Sequence, residues 1–573
     1  MEIFASCRFY RLPAILLLIA ITGVPINPRE PGEAENQKLF AITGVPINPR
    51  EPGEAENQKL IVATGTGMNS EKPAELKGLD KYIQKGMSDW GIPGFAVSVV
   101  KDGEIIYLKG FGERKLGEDD KVDPHTVFGV ASTTKAMTAT ALGMLVDEGL
   151  ISWDDRVRDH LPWFELSDPW VSDAVTIRDL LAHRVGIGRM TGNRLVFMPS
   201  RDRKTILSHV RHQPFEIPFR SGYVYSNMMY MVAGLVIEEA AGMSWDEFLP
   251  ARLFRPLNME SATVSVTQIH ENDNAAWPHQ EIRGTVQAIP RRNFDNVGPA
   301  ASVNASAGDM AQWLLFNLGR PGMYNDTLLV SADAMNGIYQ PQHIFPVNDA
   351  LRDDFSAYAL GWNIRHYEGY RVLHHSGATD GMNSVVALVP GLDLGIFAAG
   401  NLFCGFRPAL VNHIIDSFLG IEREYDWNEL YLSGHNRNME SAMQRRESID
   451  SARITGTAPS LSLADYTGLY HDRVYDMVEV RLSGDGRLEL EFWEDPEMVA
   501  TLEHWHYDTF RASWKNQAMR EKFVNFDLDS QGRIRQLNVT FTLRPVMTQV
   551  GLYPTDYYRI VEYKKITGRI FAH

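Results

Sequence analysis

A serine and a lysine three residues apart could carry acyl-transfer chemistry. In the segment FGVASTTKAMTATALGMLVDEG, Ser132 and Lys135 stand three apart at the start of an expected helix. On a helix that spacing puts both side chains on one face, with Cβ atoms about 5–6 Å apart. A serine hydroxyl is a poor nucleophile at neutral pH unless a neighbouring base takes its proton, and a partly buried lysine can be that base. The helix start also directs backbone N–H groups toward a developing oxyanion. The pair alone is also compatible with an N-cap serine and an exposed lysine. Ser98 and Lys101 repeat the pattern inside an expected strand, where residues three apart point to opposite faces, so that pair is read as inert. Downstream, SGYVYSNMMYMVAGLVIEEAAG places Tyr225, Ser226 and Asn227 directly before a second amphipathic helix. Further on, RVLHHSGATDGMNS places His375, Ser376 and Gly377 at the end of an expected strand. A core tyrosine at 225 and a helix cap at 227 are the plain structural alternatives.

SxxK, YxN and HxG in this order resemble the three-motif set of class C β-lactamases, penicillin-binding proteins, D-aminopeptidases and related esterases. TIRDLLAHRVGI at 176–187, PAASVNASAGDMAQWLL at 299–315 and YALGW at 358–362 extend the similarity over about residues 76–420. The resemblance implies that Ser132 forms an acyl-enzyme, with Lys135 as base or as the charge that lowers the pKa of Tyr225. Tyr225 would then carry the proton to the leaving group. By the same likeness Asn227 bonds the substrate amide, and the backbone N–H groups of Ser132 and Ala378 hold the oxyanion. Many of the β-lactamases and transpeptidases have a lysine where this chain has His375, and histidine is only partly charged near neutral pH. An acidic penicillin-like or D-Ala terminus should therefore be recognised less well than a plain ester or peptide. No metal or organic cofactor is implied: HExxH is absent, and His374, His504 and His506 read as structural or surface residues. Absence of GxSxG argues against an α/β-hydrolase.

The positioning elements are legible as periodicity. Leu76 to Met87 and Ser132 to Glu148 read as helices. Phe95 to Lys101 and Ile105 to Lys109 read as a hairpin turning at Asp102 and Gly103, and Tyr358 to His366, Tyr370 to His375, Asn383 to Val389 and Leu394 to Ala399 as further antiparallel strands. Strands at both ends with helices between define an α+β domain, an antiparallel sheet plus a helical region. Short strands after Leu461, including Met477 to Leu482, Leu488 to Trp493, Lys522 to Leu528 and Leu537 to Thr542, predict a small all-β domain, a barrel, opening with ADYTGLYHDR and resembling the lipocalin-like appendage of some family members.

The chain has 573 residues and is 44% hydrophobic, enough for two or three folded units. A formal net charge of −16 with no basic run argues against a nucleic-acid partner. Arg8 and Arg11 before the apolar run Leu12 to Ile21 read as a secretory leader too short for a membrane anchor. Cys404 would be unpaired once Cys7 left with it. Residues 20–39 and 41–60 carry the same Pro-, Gly- and Glu-rich string, which has little to bury. The expected organisation is a signal peptide over 1–23, a duplicated spacer over 24–75, the hydrolase domain over 76–420, a linker over 421–460 and the β domain over 461–573. Asn304, Asn325 and Asn538 are candidate glycosylation acceptors. The expectation is a secreted serine hydrolase of a small amide, peptide or ester, with homo-oligomer formation open. Its rivals are a catalytically silent extracellular-matrix or binding protein on the same scaffold, and a β-lactamase or D-Ala-D-Ala-type peptidase.

Overall fold

The computed structural model describes residues 73–188, 201–282, 284–346, 355–492, 498–515, 522–542, 547–548, 551–552 and 558–566. The expected leader and nearly all of the spacer lie outside the described residues. None of the described helices is long and apolar enough to cross a membrane.

The centre is an eight-stranded antiparallel sheet: β1 (Gly94–Lys101), β2 (Glu104–Gly112), β3 (His343–Phe345), β4 (Ser356–Tyr358), β5 (Asn363–Tyr367), β6 (Tyr370–Thr379), β7 (Met382–Val389) and β8 (Leu394–Gly400). Their spatial order is β2-β1-β8-β7-β6-β5-β4-β3. Because strand side chains alternate, β1 feeds two cores. Phe95, Val97 and Val99 face α1 (Leu79–Trp90), while Ala96 and Val100 join the large core that includes α2 (Thr134–Asp147) and α3 (Asn227–Ala241). β7 splits likewise: Val385 and Ala387 share the α1 core with α4 (Phe406–Leu419), and Val386 and Leu388 face the other way. Burial on both faces explains why these strands read as continuous apolar runs. The β1–β2 turn has Asp102 at φ 50 and Gly103 at φ 78, the left-handed pair a tight hairpin requires.

Several elements differ from expectation. Helix α1 starts later because Gly78, at φ 89, ends the preceding turn in a left-handed conformation. The helix expected from Ser132 starts regularly only at Thr134, after a 3₁₀ turn over Ala131–Thr133. The strand expected from Tyr358 to His366 is broken into β4 and β5 by a turn at Gly361 (φ 79), where the chain runs against the first turn of α2. A Cβ at Gly361 would lie 2.8 Å from the Lys135 carbonyl oxygen.

Within residues 421–460 the chain forms α5 (Trp427–Ser451), capped by Asp426, whose side chain accepts from Glu429 N–H at 3.0 Å. An all-β unit follows, a closed barrel of β9 (Gly468–Asp472), β10 (Asp476–Leu482), β11 (Leu488–Phe492), β12 (Val499–His506), β13 (Thr509–Trp514), β14 (Lys522–Leu528), β15 (Ile534–Thr542) and β16 (Tyr558–Lys565). β16 pairs with both β15 and β9, so the ring closes. Its interior is filled by Tyr466, Tyr470, Phe492, Phe510 and Phe526 in edge-to-face contacts. Arg201 of the hydrolase region pairs with Asp476 of the barrel at 2.6 Å. Arg453, just past α5, donates to the Trp505 carbonyl at 2.8 Å.

Gly361→Ala should destabilise the fold by about 1–3 kcal/mol, from the left-handed penalty together with overpacking against α2. Urea denaturation followed by tryptophan fluorescence measures this, and an unchanged midpoint would contradict the close approach.

Candidate active site

The loop entering α2 is built to present one hydroxyl. From Thr126 to Leu145 every residue is buried except Ser132. Ala131 takes φ 52, a left-handed conformation that costs a non-glycine residue about 1–2 kcal/mol. That kink is pinned from the sheet. Ser384 Oγ on β7 donates to the Val130 carbonyl at 2.6 Å, and Thr133 Oγ1 donates to the same oxygen at 2.9 Å. Gly377 on β6 lies so close that a Cβ there would sit 2.1 Å from Val130 O and 2.5 Å from Ser384 Oγ. Glycine is required at this position by contact, and the contact places Ala378, an exposed residue, beside the Ser132 turn.

Lys135 is fully buried and its ammonium reaches three acceptors: Ser132 Oγ at 3.2 Å, Asn227 Oδ1 at 2.8 Å and the Ala300 carbonyl at 2.9 Å. It also lies 4.7 Å from the centre of the Tyr225 ring and 5.3 Å from that of Tyr230. The Tyr225 hydroxyl bonds Ser132 Oγ at 2.9 Å. Ser132, Lys135, Tyr225 and Asn227 thus form one connected cluster. Asn227 is the first residue of α3 and bonds the lysine, which excludes the helix-cap alternative; Ser226 occupies the cap position. The inert pair also separates: Ser98 is buried in β1, while Lys101 pairs with Asp102 at 2.5 Å.

His183 belongs to this cluster and was not singled out from sequence. It is buried at φ 58, its carbonyl accepts from Val224 N–H at 2.9 Å, and its Nδ1 accepts from Ser226 N–H at 3.1 Å. One residue therefore clasps the backbone on both sides of Tyr225, with its ring 4.4 Å from the tyrosine ring. The signal was its place in TIRDLLAHRVGI, a stretch otherwise read only as similarity. That stretch is anchored by buried Asp179, which closes a capping box with Thr176 and pairs with Arg184 at 2.7 Å and Arg220 at 2.6 Å. Burial alone would raise the Asp179 pKa, but bonds from Arg220, Thr176 and Arg184 hold it below the usual carboxylate value.

His375 lies within β6, since the strand runs on to Thr379 instead of ending at the motif. Burial, followed by the nearby Lys135 charge, lowers its pKa to about 3. Its Nδ1 bonds the Ser376 carbonyl at 2.9 Å, an oxygen that can only accept, so Nδ1 carries the proton. Nε2 then accepts from the Tyr358 hydroxyl at 3.3 Å. The ring is neutral near pH 7, where the sequence reading had it partly charged.

The outlying residues are placed as well. His504 Nε2 bonds the Tyr507 carbonyl at 2.9 Å, and His506 Nδ1 accepts from Ile454 N–H at 3.4 Å, so both tie down loops at one end of the barrel. Asn304 does not suit a glycan on the folded protein: it is buried and its amide donates to Thr263, Ser265 and Ser302. Asn325 sits in an exposed turn at φ 47, and Asn538 is half-buried in β15.

A serine hydroxyl held between a buried ammonium and a phenol, at a strained turn against a sheet strand, defines a site suited to acyl transfer. Residues 79–413 match the model of the Beta-lactamase family, and residues 452–550 match a Domain of unknown function (DUF3471). The chain belongs to the Beta-lactamase family, and its hydrolase relatives make it broadly a serine hydrolase. It is 29% identical over 417 residues to Unguisins hydrolase ungD' of Aspergillus campestris, covering 70% of this chain and 76% of the relative. It is 26% identical over 343 residues to Protein flp of Staphylococcus aureus, covering 59% of this chain and 65% of that protein, so it spans somewhat less than two thirds of the latter. The fold is similar to the octameric penicillin-binding protein homologue from Pyrococcus abyssi, with TM-score 0.54 and 19% identity over 86% of this chain and 100% of that one. SurE is also similar, with TM-score 0.51 and 20% identity over 81% of this chain and 97% of that one.

Two outcomes follow from this geometry. His183→Leu, which removes the Nδ1 acceptor, should lower kcat by about 10-fold or more through misplacing Tyr225, whereas His183→Asn, whose Oδ1 can take over that bond, should recover most of it. Equal losses in both variants at equal thermal stability would contradict the clasp. His375 should show no ring titration by NMR between pH 5 and 8. Since its folded pKa is depressed, the stability it contributes is complete above the unfolded value of about 6.5 and erodes as pH falls toward the folded value. A His375 titration near neutrality would refute the neutral ring.

Proposed function

We propose that the protein is a secreted hydrolase that forms an acyl-enzyme on Ser132 and cleaves a small amide, peptide or ester. One observation carries the reading: Ser132 Oγ lies 3.2 Å from Lys135 Nζ and 2.9 Å from the Tyr225 hydroxyl. In the proposed cycle Tyr225 acts as a phenolate beside the Lys135 ammonium, and Ser132 Oγ bonds the substrate carbonyl carbon while its proton passes to the Tyr225 oxygen. The carbonyl π pair moves onto oxygen, which the backbone N–H groups of Ser132 and Ala378 receive. As the tetrahedral adduct collapses, the bond to the leaving amine or alcohol breaks and Tyr225 returns the proton to it. Water then gives its proton to the Tyr225 oxygen as it attacks the acyl-enzyme carbonyl, and as this second adduct collapses the bond to Ser132 Oγ breaks and Tyr225 returns the proton to Oγ, releasing the acid. Lys135 keeps its place throughout because Asn227 Oδ1 and Ala300 O hold the ammonium.

Substrate preference follows from His375. A neutral ring offers no permanent cation to a substrate carboxylate, which favours plain esters and peptides over penicillins and D-Ala-terminated peptides. The relative named Unguisins hydrolase supports hydrolysis as the activity class. Secretion rests on the leader-like run Leu12 to Ile21 behind Arg8 and Arg11.

Purified protein treated with a fluorophosphonate should gain one adduct by mass spectrometry, and Ser132→Ala should gain none while keeping its circular dichroism spectrum. Para-nitrophenyl esters should turn over, with kcat falling by about 10³-fold or more in Ser132→Ala. A folded wild-type protein that takes no label would favour the silent matrix or binding scaffold. Efficient acylation by fluorescent penicillin without ester turnover would favour the β-lactamase or D-Ala-D-Ala-type peptidase.

A further inference from the structure

Arg407 is a residue whose placement makes little sense as scaffold alone. It is the second residue of α4, 6% exposed, and among the described residues no carboxylate pairs with it and its Nε has no hydrogen-bond partner. Each of these features is unfavourable. A buried charge without a counter-ion is costly, a cation in the first turn of a helix opposes the helix dipole, and a buried unsatisfied N–H adds a further penalty. Burial lowers the Arg407 pKa to about 10, so the guanidinium is still charged at neutral pH. A neutral side chain could tie α4 to the sheet at lower cost.

What the charge touches gives the reason for keeping it. Nη1 donates to the Gly377 carbonyl at 3.0 Å and also to the Ser384 carbonyl, while Nη2 reaches the Cys404 carbonyl at 3.5 Å. The Gly377 carbonyl and the Ala378 N–H are two ends of one peptide group. A full positive charge on the carbonyl end draws electron density through the amide and makes the N–H a stronger donor, as hydrogen-bond chains polarise one another in a low-dielectric interior. The same guanidinium grips β7 through Ser384, whose side chain holds Val130 and with it the turn that carries Ser132. The N-terminal end of the α4 dipole adds a partial positive charge of the same sign.

We propose that Arg407 is a positioning residue for acyl transfer, which aligns and polarises the Gly377–Ala378 peptide so that the Ala378 N–H binds the oxygen that becomes negative when Ser132 attacks. The inference rests on the acyl-enzyme reading of Ser132. Arg407 never touches substrate; its effect passes through one peptide group, and it acts on the transition state more than on substrate binding.

The test compares wild type with Arg407→Met, which keeps length and removes charge, and Arg407→Lys, which keeps charge and loses the fork. With a para-nitrophenyl ester, Arg407→Met should lose about 10–100-fold in kcat, less than deletion of a whole oxyanion donor, with KM nearly unchanged, and Arg407→Lys should lose less. The acyl-enzyme carbonyl stretch, read by infrared difference on an isotope-labelled ester, should move to higher frequency in the same order, because a weaker oxyanion donor polarises that carbonyl less. If Arg407→Met fails to fold, the stretch and kcat of Arg407→Lys decide the matter. A folded variant with wild-type carbonyl frequency and kcat would overturn the proposal, while fluorophosphonate labelling of wild type reports separately on the acyl-enzyme reading. Labelled wild type with unaffected variants removes Arg407 alone; unlabelled wild type removes both.

Discussion

The ammonium of Lys135 is the constraint around which the hydrolase region is organised. Taking an ammonium out of water costs several kcal/mol unless its protons find acceptors, and each acceptor here comes from a different part of the chain. Ser132 precedes it on the same turn, Asn227 opens α3, and Ala300 lies on the PAASVNA stretch. These segments can meet only if α2, α3 and the 299–305 stretch approach at backbone distance. They do: a Cβ at Gly234 of α3 would lie 2.2 Å from the Pro299 ring, Thr138 donates to the Pro299 carbonyl at 2.7 Å, and Gly361 abuts the Lys135 carbonyl. Satisfying one charge thereby fixes three segments, and the same arrangement brings Tyr225 onto Ser132.

The sheet supplies the other half of the geometry. β6 and β7 press on the Val130–Ala131 kink from one side through Gly377 and Ser384, and α4 braces their carbonyls from behind through Arg407. Left-handed, non-glycine backbone at Ala131 and His183 sits on either side of the site, next to the serine and to the loop that holds Tyr225. Strain of that kind persists only where surrounding contacts over-determine it. Here the contacts are named: Ser384 and Thr133 on Val130, Val224 and Ser226 on His183. The cluster is preorganised, so little has to be rearranged when charge develops on a substrate oxygen.

The barrel stands in a different relation to the chemistry. Its interior is packed with aromatic rings, and it contributes none of the residues that bond Ser132, Lys135 or Tyr225 among the described residues. Its polar ties to the rest include Arg201 to Asp476, and Arg453 and Asp450 around Trp505 and Arg511, and its buried residues join the same apolar cluster as those of the hydrolase region. The edge-to-face aromatic contacts stabilise the barrel interior.

Sequence by itself determined the antiparallel strands, the two helices that carry the site and the order of the three motifs, because alternation and helical spacing are local properties of side-chain direction. It also separated Ser132 from Ser98, since only a helix puts serine and lysine on one face. Tertiary structure decided the rest. The break at Gly361 and the need for glycine at 377 come from close approach to segments hundreds of residues away, which leave no periodic trace. His183 and Arg407 act through backbone groups of other elements, so neither residue type nor spacing marks them. His375 was legible as a motif residue, but its neutrality depends on burial and on Lys135, and Asn304 was legible as a sequon although its amide is consumed inside the fold. Charge state and accessibility belong to the three-dimensional surroundings of a group, and only the folded chain supplies them.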